Sequence, residues 1–285
     1  MRLCRFEGDR LGVVEGDSVR DVSAALDVLP AASWPVPPGD AVIAHLPALI
    51  AQIEEIVGGA PARPLAGLAL MSPIANPSKV IGAPVNYQKH IDEANADRNI
   101  NFGAEIKGID HYGLFLKANS ALVGPGEGIA LRFIDRRNDH EAELVAVIGK
   151  GGTNIPRAAA FDHIAGYTMG LDMTVRGTED RSFRKSIDSY AVIGPWFVTK
   201  DEIADPDALD FELRVNGVVR QSSNTRNLIY DVARLVEYAS SFYTLYPGDL
   251  IMTGTPEGVA PVAAGDVIEM TMEGIGEMTV AVRAA

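Results

Sequence analysis

The run NDHEAELVAVIGK at 138–150 constrains the fold more than any other part of the chain. Side chains alternate along a strand. Glu141 and Glu143 therefore share a side with Val145 and Val147, while His140, Ala142, Leu144 and Ala146 share the other. Both sides continue into apolar residues, which predicts an interior strand covered on each face. Two glutamates inside such a strand are costly to bury unless something compensates them. A divalent cation held by oxygen ligands is one compensation, and an oxygen-only set points to Mg²⁺, Mn²⁺ or Ca²⁺. On spacing alone, two solvated glutamates at an exposed strand end would read the same way.

The rest of the chain supplies strands to surround that one. Residues 112–117, 164–173 and 194–199 are apolar runs of strand length, and 28 glycines and 17 prolines punctuate the chain into short segments. Asn216-Gly217 lies between two strand-like runs and predicts a two-residue hairpin. Residues 231–242 predict an amphipathic helix capped by Asp231, with Val232, Leu235, Val236 and Ala239 on one face. Residues 1–29 read as short antiparallel strands, 30–39 as a proline-rich connector, and 40–59 as a helical stretch capped by Asp40 and interrupted at Pro47. The expected organisation is a small N-terminal α+β domain, 1–70, and a main domain, 71–285. Runs of strands with few helices do not match alternating βαβ units. The expected class is α+β, mostly β, a mixed β-roll or distorted barrel.

Charge narrows the function. The chain has 25 Lys and Arg against 38 Asp and Glu, a formal charge of −13. Nucleic-acid binders need the opposite sign. Cys4 is the only cysteine, so no intrachain disulfide forms and a reducing compartment is expected. No apolar stretch approaches bilayer length and the N-terminus lacks a secretory h-region, so a cytoplasmic protein is expected.

Three further regions carry chemistry. Asp172 ends the apolar run 164–173, where an acid can sit at the mouth of a barrel or simply terminate a strand. The loop beyond it holds Arg176, Arg181, Arg184 and Lys185 among Glu179, Asp180 and Asp188. Such a loop is a solvated surface, or, beside a metal, a set of cations for a substrate carboxylate or an oxyanion. In NYQKHIDE (86–93), His90 and Glu93 are three apart and share a helix face, so the carboxylate can orient the imidazole as a base. The polar stretch from there to Gly113 is a lid or a long loop. The run GTPEG at 254–258 follows a strand and offers backbone amides and the Thr255 hydroxyl to an anion. Phosphate-loop, nucleophile-elbow and dinucleotide signatures are absent.

These segments together resemble the fumarylacetoacetate hydrolase family. The resemblance rests on NYQKHIDE, FLKANSALVGPGEGI (115–129), HEAELVAVIGK (140–150), AGYTMGLDMTVRG (165–177), FRKSIDSYAVIGPW (183–196), RQSSNTRNLIYDVARLVEYASSF (220–242) and PGDLIMTGTPEGV (247–259), in that order from about residue 73 onward. It implies a β-roll and a homodimer using Mg²⁺ or Mn²⁺ on small 2-oxo acids. Glu141, Glu143 and Asp172 would hold the metal. His90, Glu93 and Lys185 would be catalytic, and Arg176, Glu179 and Thr255 would meet the substrate. The implied reaction is hydrolysis of the C3–C4 bond of a 2,4-dioxo acid, an acylpyruvate or a 2,4-diketo-3-deoxy sugar acid. The products would be pyruvate and a second carboxylic acid.

Three positions depart from the family pattern. Leu171 stands where Asn is common and Glu179 where Gln is common, and the segment Gly82-Ala83-Pro84-Val85 is longer than usual. An ionised glutamate cannot donate to an oxyanion. The alternatives are therefore decarboxylation of an oxaloacetate-like acid or isomerisation of a 2-oxo-dienoate on the same site, and a non-catalytic protein that binds a metal and a 2-oxo acid.

Overall fold

The computed structural model describes all 285 residues. The strand Ala142–Ile148 is buried along its whole length. It pairs antiparallel with Ile164–Asp172 on one edge and with Leu250–Met252 on the other, inside a twelve-stranded sheet. Its alternation separates two cores. Ala142, Leu144, Ala146 and Ile148 join the larger apolar cluster, and Val145 and Val147 join the smaller one. The interior strand expected from 138–150 is present, but it begins only at Ala142. Asn138–His140 forms a separate short strand in a three-stranded sheet, and Glu141 sits at the changeover.

The fold is mixed and mostly β. Arg2–Phe6, Arg10–Glu15 and Ser18–Asp21 form an antiparallel meander. Arg2–Phe6 also pairs with Ala191–Thr199, so the N-terminal strands extend the central sheet. The Asp40 carboxylate caps the helical stretch through the amides of Val42 and Ile43. The helix Leu46–Ile56 then lays Leu46, Leu49 and Ile53 into the smaller core. A five-stranded sheet completes the roll, and its hairpin turns at Asn216 and Gly217. Asp231 accepts from the Arg234 amide and starts the helix Val232–Phe242. No helix is long and apolar enough to cross a membrane.

Two local readings change. Within 112–117 only Phe115–Lys117 is a strand; Ile109–Tyr112 forms one helical turn before Gly113, whose φ of 67° ends it. The loop after Asp172 contains the helix Arg181–Lys185, because the Asp180 carboxylate accepts from the Ser182 amide and caps it.

The site lies where a parallel pair ends. Val80–Gly82 runs parallel to Leu250–Met252, and the two loops that follow them lie side by side. Asn86 joins those loops by donating through Nδ2 to the carbonyls of Thr253 (2.8 Å) and Tyr230 (2.9 Å). Asp249 fixes the start of the pair. Its Oδ1 accepts from Ser78 Oγ (2.6 Å) and the Lys79 amide (3.0 Å), and its Oδ2 accepts from Lys79 Nζ (2.6 Å) and the Tyr246 amide (2.8 Å).

Each Asp249 oxygen therefore faces a backbone N–H, and an asparagine would turn its NH₂ onto one of them in either orientation. Asp249→Asn is expected to lower stability by about 3 kcal/mol, nearly as much as Asp249→Ala. Urea unfolding measures this, and a loss below about 1 kcal/mol would remove Asp249 from this role.

Candidate active site

Strand register brings three acids together. Ala142 pairs with Leu171, and the Asp172 amide donates to the Glu141 carbonyl (2.9 Å), so Asp172 is the cross-strand neighbour of Glu141. Glu143 is two residues along on the same side, opposite Gly170. Cross-strand and i+2 neighbours on one face converge. Glu141, Glu143 and Asp172 are all buried, and each offers an oxygen within 4.8 Å of the others'. Leu171 points into the larger core.

Three buried cations balance these acids. Lys185 Nζ donates to Glu141 Oε2 (2.7 Å), Asp172 Oδ2 (2.6 Å) and Thr174 Oγ1 (2.6 Å). Arg176 Nη2 donates to Glu141 Oε1 (2.9 Å), while its Nε is held by Asp139 Oδ2 (2.7 Å). Lys117, fully buried, donates to Asp172 Oδ1. Burial opposes ionisation of Glu141, but Lys185 and Arg176 overcome it and hold the carboxyl well below the usual range. Glu143 goes the other way. Burial, then the charges of Asp172 and Glu141, push it well above the usual range, against Lys185 and a hydrogen bond from the Gly254 amide (2.8 Å). A trio with one reluctant member and only oxygen donors is a fit for a hard divalent ion, whose charge would relieve the repulsion on Glu143.

His90 and Glu93 lie on the helix Gln88–Ala96. His90 Nδ1 is 3.2 Å from Glu93 Oε2, which places the ring proton on Nδ1 and leaves Nε2 as an acceptor. Glu93 is anchored in turn, since its Oε1 accepts from the Gly258 amide (2.9 Å). The Gly254 and Gly258 amides thus serve Glu143 and Glu93. That differs from the expectation that they would face an anion, because the protein's own carboxylates reach them first. Thr255 keeps its part in the cavity wall. Gln221 accepts on Oε1 from the Ala142 amide (3.0 Å) and His140 Nδ1 (3.1 Å), which directs its Nε2 to donate to Thr255 Oγ1 (2.8 Å). The Thr255 hydroxyl proton is therefore free to donate.

One cavity collects His90, Glu141, Glu143, Asp172, Arg176, Lys185 and Thr255. Glu93 stands behind His90. Glu179 is not brought in: it is exposed on an adjoining groove, and both of its oxygens are held by Arg136 (2.9 and 2.8 Å). The segment Ala83-Pro84-Val85 before Asn86 forms a cavity wall in which Val85 is held at a φ of 45°, a costly conformation for a β-branched residue. Sequence reasoning missed Lys117, Asp139 and Gln221. Lys117 had a signal, because it alternates with Phe115 in a short apolar strand and so shares its buried side.

Comparison with known proteins places the chain in a family. Residues 79–283 match the model of the fumarylacetoacetate (FAA) hydrolase C-terminal region. The chain is 55% identical over 285 residues to maleylpyruvate hydrolase of Aquipseudomonas alcaligenes, with 99% of each chain covered. It is 32% identical over 293 residues to 2,4-didehydro-3-deoxy-L-rhamnonate hydrolase of Sphingomonas sp. strain SKA58, covering 97% of this chain and 94% of that one. The crystal structure of maleylpyruvate hydrolase from Sphingobium sp. SYK-6 in complex with manganese(II) ion and pyruvate superposes with a TM-score of 0.84 at 39% identity, with both chains fully covered. With a family model spanning most of its length and relatives this similar from end to end, the chain belongs to the fumarylacetoacetate hydrolase family.

Proposed function

We propose that this protein is a divalent-metal-dependent hydrolase that cleaves the C3–C4 bond of a 2,4-dioxo acid. One water is consumed, and pyruvate and a second carboxylic acid are released. The observation that carries this reading is that a carboxylate-oriented histidine and a buried three-acid cluster line one cavity. The similarity to proteins named maleylpyruvate hydrolase supports an acylpyruvate as the substrate class. The working unit is proposed to be a cytoplasmic homodimer, with its catalytic region beginning near residue 70; elution at the monomer mass of 30.4 kDa would refute the dimer.

Glu141, Glu143 and Asp172 would hold Mg²⁺ or Mn²⁺. A bound ion would supply Lewis-acid stabilisation of the charge that develops on the 2-oxo group as the carbon–carbon bond breaks. His90 takes a proton from water at Nε2, and Glu93 stabilises the imidazolium through Nδ1. The hydroxide adds to C4, the C3–C4 bond breaks to free the second acid, and C3 takes the proton back from His90 to complete pyruvate. Lys185 meets the oxygen that becomes negative at C4; its three N–H groups are committed to Glu141, Asp172 and Thr174, so it gives up one of these to do so. Thr255 donates its free hydroxyl proton to the C1 carboxylate, and Arg176 holds Glu141 in place.

His90→Ala is expected to lower kcat by about 10²- to 10⁴-fold while leaving Mn²⁺ affinity within a few fold. Glu93→Gln is expected to cost less, because the ring keeps a hydrogen-bond partner but loses the counter-charge. Turnover is followed as pyruvate release with identification of the second acid. Pyruvate with CO₂ and no second organic acid would replace this reading with decarboxylation.

Metal affinity should depend on pH in a defined direction. A proton on Glu143 competes with the ion, so affinity rises as pH rises, by up to about tenfold per unit, until Glu143 titrates in the metal-free protein. Calorimetry in buffers of different ionisation enthalpy should show about one proton released per Mn²⁺ bound. Stripping the metal with EDTA should abolish turnover, and full activity without metal would refute the site.

A further inference from the structure

Five charged side chains form one continuous line between the base helix and the acid cluster. Asp97 Oδ2 accepts from Arg137 Nη1 (2.7 Å), and Arg137 Nε donates to Asp139 Oδ1 (2.7 Å). Asp139 Oδ2 accepts from Arg176 Nε (2.7 Å), and Arg176 Nη2 donates to Glu141 Oε1 (2.9 Å). Acid and base alternate along the line, so each interior member has an opposite charge on both sides. The line runs from a half-exposed end at Asp97 to the buried Asp139, Arg176 and Glu141.

The outer end of the line is a joint. Asp97 directly follows the helix Gln88–Ala96, and its amide donates to the Glu93 carbonyl (3.0 Å). Its Oδ1 accepts from the Asn99 amide (2.9 Å) and starts the helical turn Arg98–Asn101. Asn101 folds back and donates to the Ala94 and Asn95 carbonyls, at 2.9 Å each. Residues 94–106 otherwise hydrogen-bond only within 86–113, so Arg137 supplies the one hydrogen bond that ties them to the rest of the protein. His90 lies one turn before this tied end. The inner half is equally committed. Nε and Nη2 of Arg176 form a fork that fits both oxygens of a single carboxylate, yet here it is divided between Asp139 and Glu141. Arg137 occupies the other Asp139 oxygen and so keeps the fork divided.

We propose that Arg137 is a positioning residue for the reaction: it fixes the end of the base helix against the acid cluster, and so sets where His90 Nε2 stands relative to a substrate held there. Arg137 does not line the cavity and bonds none of the three clustered acids. It acts through Asp97 on one side and through Asp139 and Arg176 on the other. A guanidinium suits this task because its rigid plane holds two acids at a fixed separation, which a lysine ammonium does not. The inference rests on the reading of His90 as the base and adds the residue that keeps it in register.

The test breaks the line at two points. Asp97→Asn opens it at the half-exposed end, keeps the bond from the Asn99 amide and leaves both arginines on Asp139. Arg137→Gln removes the bridge, and Arg137→Lys keeps the charge without the reach to two acids. Hydrogen exchange of the metal-free protein is expected to run about tenfold faster across residues 94–101 in Asp97→Asn and Arg137→Gln. Each should lower kcat for pyruvate release about tenfold or more, with KM within about threefold, because a small displacement of the base costs rate rather than binding. Arg137→Lys should lie closer to Arg137→Gln than to the unmodified protein in both readouts. The double variant should lose no more kcat than the worse single one, since both substitutions break one link. Faster exchange with unchanged kcat, or losses that multiply in the double variant, would reduce Arg137 to a structural contact and overturn the proposal. Should Arg137→Gln fail to fold, Asp97→Asn decides by the same two readouts. If the unmodified protein cleaves no 2,4-dioxo acid while exchange quickens as expected, the hydrolase reading falls and the hold of Arg137 on the helix stands. Cleavage with exchange and kcat unchanged in the variants does the reverse.

Discussion

Three carboxylates and three cations share the buried space where the central sheet opens. The arrangement around them follows from keeping that group neutral out of water. An unpaired buried charge costs several kcal/mol, and a pair survives only with good geometry and satisfied hydrogen bonds. Glu141 meets Arg176 and Lys185, and Asp172 meets Lys117 and Lys185. Glu143 has only a backbone amide and is the acid that resists ionisation. The same asymmetry that strains the metal-free cluster makes it receptive to a divalent ion. Asp139, fully buried and bonded to both Arg137 and Arg176, extends the compensation one layer outward.

Much of this was legible in the chain because it depends on period-two alternation. Strand periodicity alone placed Glu141 and Glu143 on one side of an interior strand, and the two apolar faces beyond them separate the two cores. His90 and Glu93 were legible for the matching helical reason. Lys117, Asp139 and Gln221 act across large sequence separations. Gln221 reaches Thr255 and Ala142 only because the hairpin strand folds over the central sheet. No local pattern encodes such a meeting. Glu179 shows the converse. Its motif position marked it, but Arg136 holds both of its oxygens and it lies exposed on the adjoining groove.

Element boundaries failed where capping outweighed propensity. The charged loop after Asp172 lacks an apolar stripe, so periodicity is silent there, yet one Asp180 hydrogen bond starts a helix that carries Arg181, Arg184 and Lys185. That short turn is what sets Lys185 among the acids while Arg181 and Arg184 stay at the cavity wall.

The loop 254–258 has a consequence of another kind. Gly254 donates to Glu143 and Gly258 donates to Glu93, so one five-residue stretch sets the span between the acid cluster and the base. Both glycines have positive φ, and a Cβ at either would collide, with Asn86 at 2.7 Å or with the Arg220 carbonyl at 2.0 Å. The donors are main-chain groups, so the side chains between them do not set this span; Thr255 faces the cavity for a separate reason, and Glu257 reaches only Lys89, a surface partner. The loop works as a ruler graduated in peptide units. Its length and its two end glycines carry the calibration, and of the letters between them the exposed-side Glu257 is the one open to drift.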